Sequence, residues 1–300
     1  MSKGWNGRAP AGRIAYVDGR YEPHGRAHVH IEDRGLQLGD AVYEVCGIAH
    51  GVLMDVAEHL DRLERSLREL EIAMPMPRNA LELVMRELVR RNRVRDGLLY
   101  LQVSRGIARR DHPIPSVPVR PSLILTARSI SMVDLEKRQR DGVAVISRPD
   151  ERWGRVDIKT VQLLPNLLAK TAARRAGAYE AWLVDDDGFV TEGSSTNAWI
   201  VDAAGQLRTR GLGNDILPGV TRRVILEAAA TSQLEVTELR FALADALAAR
   251  EAFISSATGV VPVTTIDGKR VGDGKPGPVT RRVQELYFLT SSQRAAKTGS

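Results

Sequence analysis

Between residues 55 and 70 the apolar side chains Ala57, Leu60, Leu63, Leu67 and Leu70 recur at intervals of three and four, the period of one helix face. The flanks obey another period. Val42-Tyr43-Glu44-Val45 alternates as a half-buried strand should, and residues 98–103 and 123–127 are short strand-like runs. A second helical stretch covers residues 79–92, with Leu81, Val84, Met85, Leu88 and Val89 facing inward. Earlier still, residues 14–20 read as a strand ending in the hairpin turn Asp18-Gly19, and residues 28–31 as a short extended piece. Strands, two helices, then strands predict an α+β unit for the first half.

The second half reads as another α+β unit. A helix over residues 163–176 is stopped by Gly177. Strands at 179–184, 189–191 and 196–201 are joined by tight turns such as Asp187-Gly188. Helices are predicted at 217–230, 243–249 and 277–289, and strands at 234–239, 252–255 and 260–266. The predicted organisation has a flexible arm at residues 1–13, a small domain at 14–127 and a connection at 128–136. A large domain follows at 137–290, then a flexible tail at 291–300.

The 300 residues are 43% hydrophobic and 27% charged, the balance of a soluble globular chain. No apolar run is long enough to span a membrane, and the N-terminus lacks an apolar signal core. A single cysteine, Cys46, excludes a disulfide framework and a cysteine metal cluster, and a cytoplasmic location is expected. The net charge of +6 raises a nucleic-acid reading. Its arginines are spread over amphipathic helices, however, and aromatics make up only 5%, so no basic stacking platform is present. No nucleic-acid partner and no membrane partner is expected.

Several pieces carry chemical potential. Lys159 follows a short apolar run, and Glu192 stands at the mouth of a Gly/Ser turn, Gly193-Ser194-Ser195. Pro218-Gly219-Val220-Thr221 opens a helix, where the dipole and unpaired amides favour a phosphate; the plain reading is an ordinary cap. Ser255-Ser256-Ala257-Thr258-Gly259 offers more hydroxyls after a strand. His59 and Arg62 share one helix face, either solvated or turned inward so that Arg62 meets a phosphate. Residues 105–112 set three arginines and a histidine on one loop, a carboxylate clamp or a charged surface loop. No Walker sequence, no G-x-G-x-x-G, no G-x-S-x-G elbow and no histidine pattern of metal ligands is present.

Thr191-Glu192-Gly193-Ser194-Ser195-Thr196-Asn197, followed by Leu217-Pro218-Gly219-Val220-Thr221-Arg222, resembles the signature of the class IV (fold-type IV) pyridoxal-phosphate aminotransferases. Asp157-Ile158-Lys159 and residues 39–45 match two further family segments, and the resemblance covers almost the whole chain. It is strongest to the D-amino-acid aminotransferases. The resemblance implies a two-domain α+β fold with the cofactor site at the domain interface, and pyridoxal 5'-phosphate as cofactor. Lys159 resembles the lysine that the cofactor's aldehyde binds covalently and that then shuttles the proton. Glu192 resembles the carboxylate facing the pyridine nitrogen, and Arg62 the phosphate-binding arginine. Val220 and Thr221, with Thr258, resemble the rest of the phosphate cup, and Leu217 the residue packed on the ring. Tyr43, Arg110 and His112 resemble the D-enzyme's carboxylate trap. In that family the Arg/His loop serves the neighbouring subunit, so a homodimer is implied, although Arg109 beside Arg110 leaves open which arginine points inward.

The resemblance therefore implies a D-amino-acid transaminase moving the amino group of D-alanine- or D-glutamate-type donors to a 2-oxo acid by a ping-pong mechanism. Branched-chain L-aminotransferases, (R)-amine transaminases and aminodeoxychorismate lyases share the scaffold. Arg110-x-His112 argues against the first two and leaves the lyase open. A basic nucleic-acid-binding protein without catalysis is the reading from outside enzymology.

Overall fold

The computed structural model describes residues 12–232 and 234–298. Two compact units are distinguished: one takes the residues up to Ile130 together with Ile158–Gln162, the other Ser131–Asp157 and the residues from Leu163 on.

The first unit is built on a six-stranded antiparallel sheet. Its elements are β1 (Ile14–Val17), β2 (Arg20–Pro23), α1 (Arg34–Leu38), β3 (Ala41–Ala49), β4 (Val52–Leu53), α2 (Val56–Glu69), α3 (Arg78–Asn92), β5 (Gly97–Ser104) and β6 (Ser122–Ser129). The strand order is β2-β1-β6-β5-β3-β4. Leu60, Leu63 and Leu67 of α2 and Leu81, Met85 and Leu88 of α3 form one core with Val42, Cys46, Leu99, Leu101 and Leu125 of the sheet. That cluster is what the two clashing periods require: the helices bury one stripe against one face of the pleat. Burial pushes the Cys46 thiol well above its ordinary pKa, which keeps it protonated and inert. Residues 28–31 form no strand, unlike the extended piece expected there.

The predicted large domain starting at residue 137 requires a correction at the lysine. Ile158–Gln162 belongs to the first unit because it pairs with the start of β3. Val42 and Thr160 form an antiparallel bridge. The Tyr43 amide donates to the Lys159 carbonyl at 2.9 Å, and the Val161 amide to the Ala41 carbonyl at 3.1 Å. Sequence periodicity cannot register a strand edge that recruits a segment from so far along the chain.

The second unit contains α4 (Met132–Asp141), β7 (Val143–Pro149), α5 (Leu164–Arg175), β8 (Glu180–Val184), β9 (Val190–Gly193), β10 (Asn197–Val201), β11 (Leu207–Thr209), α6 (Val220–Thr231), β12 (Val236–Glu238), α7 (Leu243–Leu247), β13 (Glu251–Ser256), β14 (Gly259–Ile266), β15 (Lys269–Arg270) and α8 (Pro278–Thr298). Its sheet runs β12-β11-β10-β13-β14-β7-β8-β9, with β15 on β14. The pairs β7/β8, β7/β14 and β11/β12 are parallel and the others antiparallel. Trp182 and Phe241 anchor one core cluster, Trp199 and Phe253 another. β11 escaped the sequence reading because three residues are too short to show a period.

Part of the flexible arm expected at residues 1–13 lies outside the described residues. The flexible tail expected from residue 291 is corrected over most of its length: α8 continues to Thr298. Ser291 is buried and Arg294 pairs with Glu227 of α6, which gives the extra turns a tertiary partner. Among the described residues no helix is long and apolar enough to cross a membrane.

Candidate active site

In the first unit, a tight turn carries the lysine: the Thr160 amide donates to the Ile158 carbonyl at 2.8 Å across Lys159. Ile158 is 3% exposed in the core of the unit and Thr160 is 5% exposed, while Lys159 between them is half-buried. Its Nζ stands 4.2 Å from the centroid of the Tyr43 ring, a cation–π contact, and Tyr43 in turn stacks on Tyr100 at 5.7 Å. Burial and then Tyr43 push the Tyr100 hydroxyl up to about 12, so it stays a neutral donor, here to Gln102. Tyr43 and Lys159 are therefore brought together within the first unit.

Arg62 is turned inward, not solvated. Together with His59 it is buried against Glu44, the residue after Tyr43 in β3. Arg62 Nε and Nη2 donate to the two Glu44 carboxylate oxygens at 2.8 and 2.7 Å, and His59 Nδ1 lies 2.7 Å from Oε2. Burial raises the Glu44 pKa, but the charge and hydrogen bonds of Arg62 outweigh it and hold the group at about 2. Glu44 and His59 had no role in the sequence reading. The available signal was a carboxylate in an otherwise apolar strand, which demands a buried partner.

Arg110 and His112 both lie exposed on the loop between β5 and β6, as does Arg109. They are not brought into contact with Tyr43 within the first unit by any described hydrogen bond.

In the second unit, Glu192 stands near the end of β9 and Asn197 opens β10, with a tight turn between the two strands. Asn197 Nδ2 donates to Glu192 Oε2 at 2.9 Å and to the Leu217 carbonyl at 3.1 Å. The Leu217 amide donates to the same Glu192 oxygen at 3.2 Å, while Arg152 pairs with Oε1. Arg152 is itself fixed by Asp150 at 2.7 Å and by the Asp215 carbonyl at 3.1 Å. Burial would lower the Arg152 pKa; Asp150 and Glu192 reverse that and raise it, so the guanidinium is a permanent charge. A carboxylate with these donors is held ionised and fixed in direction. Arg152 was invisible in the sequence, since nothing about Asp150-x-Arg152 announces a partner 40 residues on.

Helix α6 begins at Val220 with Gly219 as its N-cap, and no side chain caps it. Thr221 Oγ1 donates to the Ser256 carbonyl at 2.7 Å, and Ser256 Oγ lies 2.9 Å from Thr258 Oγ1. A Cβ on Gly219 would lie 2.0 Å from Asn197 Oδ1, so only glycine fits between the helix start and the amide that holds Glu192. The buried Thr196 Oγ1 has no hydrogen-bond partner. An uncapped helix N-terminus beside two hydroxyls fits a phosphate, and an ionised, rigid Glu192 fits a protonated ring nitrogen. Val220, Thr221, Thr258, Leu217 and Glu192 are thus assembled within one unit. Among the described residues, no three His, Cys, Asp or Glu side chains are grouped to hold a metal ion.

The amino-transferase class IV family matches residues 41–266. The chain belongs to the class IV aminotransferases. It is 39% identical over 282 residues to the D-alanine aminotransferase of Bacillus licheniformis, covering 94% of this chain and 98% of that protein. Among solved structures, the Escherichia coli branched-chain amino acid aminotransferase shares the fold at a TM-score of 0.85 and 24% identity, over 93% of this chain and 95% of that one. An aminotransferase from Mycobacterium tuberculosis, solved in its PLP-bound form, shares the fold at a TM-score of 0.81 and 23% identity, over 94% of this chain and 99% of that one. As a class IV aminotransferase the protein is an enzyme, and the sequence signature and the fold agree on it.

Proposed function

We propose that this aminotransferase moves the amino group of D-alanine- or D-glutamate-type donors to a 2-oxo acid, with pyridoxal 5'-phosphate as carrier. The similarity to the Bacillus licheniformis D-alanine aminotransferase, 39% identity over 94% of this chain, carries the reading. The bound cofactor would supply an aldehyde that exchanges amines and a ring that accepts electrons from the substrate Cα.

The chain's residues divide the remaining work. Lys159 would hold the cofactor through its aldehyde carbon, and its freed Nζ would serve as the base that takes the substrate Cα proton and as the acid that gives that proton to the carrier. Glu192 keeps a proton on the ring nitrogen, and its donors Arg152, Asn197 and Leu217 support the reading by keeping it an anion. The Val220 and Thr221 amides, the Thr221 and Thr258 hydroxyls and the Arg62 guanidinium bind the phosphate, and the Leu217 side chain packs on the ring. Tyr43, Arg110 and His112 hold the substrate carboxylate, which fixes the enantiomer whose Cα–H meets Lys159. The two half-reactions share one site, so the kinetics are ping-pong.

The exposed Arg110 and His112 support a homodimer in which this loop serves the neighbouring subunit. Mixing Lys159→Ala chains with Arg110→Ala chains should raise D-alanine turnover above that of either variant alone. For the substrate class, the decisive assay offers D-alanine, L-leucine and (R)-phenylethylamine as donors with 2-oxoglutarate. Turnover of D-alanine well above the other two is expected, and L-leucine turned over as efficiently would sink the reading.

A further inference from the structure

The first unit holds a buried ionic cluster that the chemistry above leaves unused. Arg34 Nε and Arg105 Nε each lie 2.7 Å from Asp40 Oδ2, and Arg105 Nη2 lies 3.1 Å from Oδ1. Burial raises the Asp40 pKa, but the hydrogen bonds from Arg105 and Arg34 prevail and hold it below its ordinary value. The two arginines then reach in different directions. Arg105 donates to the Leu70 and Glu71 carbonyls at 2.6 and 2.8 Å, at the end of α2. Arg34 donates to the carbonyls of Asp111 and His112, at 2.8 and 3.5 Å.

The start of that loop is held by backbone. The Arg105 amide donates to the Asp40 carbonyl at 3.1 Å, the Arg34 amide to the Gly106 carbonyl at 2.9 Å, and the Ala108 amide to the Glu32 carbonyl at 3.3 Å. Asp33 and Ile107 form a β-bridge. Gly106 has φ 104° and a Cβ there would lie 2.0 Å from the Arg120 carbonyl oxygen, so only glycine fits at this turn. The Arg34 side chain, 4% exposed, extends the hold past the exposed Arg109 and Arg110 to residues 111 and 112.

We propose that Arg34 is a positioning residue for recognition of the substrate carboxylate: anchored on Asp40, it fixes the backbone at Asp111 and His112 and so the directions in which Arg110 and His112 project. The proposal rests on the reading of Arg110 and His112 as the carboxylate clamp. Binding groups on a surface loop lose affinity to the entropy of ordering that loop, and a buried anchor removes the cost before substrate arrives. The task suits arginine, whose planar fork meets a carboxylate with one edge and carbonyls with the other; a lysine ammonium has one centre for all three acceptors.

The test compares Arg34→Lys, which keeps the charge beside Asp40, and Arg34→Gln with the wild-type holoenzyme. Both should raise the KM for D-alanine about tenfold with kcat within about twofold. Bleaching of the bound cofactor by hydroxylamine, which has no carboxylate, should keep its rate. Amide hydrogen exchange should quicken across residues 107–112 and stay unchanged in β3 and β5. An unchanged KM in both variants overturns the proposal, and so does faster exchange throughout β3 and β5, which would make Arg34 a residue of the sheet alone. Arg110→Ala and His112→Ala separate the two levels. If they leave the D-alanine KM unaltered, the clamp reading falls and the proposal with it; if they raise it while the Arg34 variants do not, only the role of Arg34 falls.

Discussion

Arg62 grips both carboxylate oxygens of Glu44, at 2.8 and 2.7 Å, inside the core of the first unit. The helix residue that resembles a phosphate ligand is thereby fixed by the strand that presents Tyr43. A long, flexible side chain becomes a rigid donor because its counter-charge is built into the sheet.

Replacing that counter-charge should cost stability in a pH-dependent way. The Glu44 pKa is lowered from 4.5 to about 2 in the folded chain. Its contribution is therefore complete above about 4.5 and is lost as the pH falls towards 2. A shift of that size corresponds to roughly 3 kcal/mol. In urea unfolding, Glu44→Gln should be less stable than wild type at pH 7 by about that free energy, and the gap should narrow at pH 3. An equal gap at both pH values would mean that packing, not charge, is what the glutamate supplies.

Lys159→Ala should abolish transamination, with a loss of at least about 10²- to 10⁴-fold from the missing proton transfer alone. The protein should also lose the absorbance of lysine-bound cofactor while its far-ultraviolet circular dichroism is kept. Transamination that survived the substitution would remove Lys159 from the mechanism.

Glu192→Gln should lower kcat by on the order of 10²- to 10³-fold, since the ring proton loses its anionic partner. The proposed phosphate contacts lie elsewhere, so cofactor affinity should change far less than turnover. Titration of apoenzyme with cofactor, beside steady-state rates, distinguishes this from a general collapse of binding.

Gly219→Ala should act at a distance from its own side chain. The new Cβ would overlap Asn197 Oδ1 at 2.0 Å, so Asn197 has to swing and release Glu192. A displacement near 1 Å at a catalytic group costs on the order of 10²-fold, and kcat should fall by about that much. If kcat held while only folding yield dropped, the Asn197–Glu192 contact would be structural.

Local sequence determined much of this protein. The period of three and four that sets Leu60, Leu63 and Leu67 on one face, and the alternation around Tyr43, specify α2 and β3 because each records a single element's own burial. The signature around Glu192 and Thr221 marks the family because a turn and a helix start need their glycines and hydroxyls at fixed positions. Tertiary structure decided what those residues touch. It paired Lys159 with the edge of β3, joined Arg62 to Glu44, brought Arg152 to Glu192 and sent Arg34 to the backbone of residues 111 and 112. Each joins charged or polar groups at least 18 positions apart. Periodicity reports which side of an element is buried, whereas the partner of a buried charge is chosen only when the chain has folded and water has been excluded.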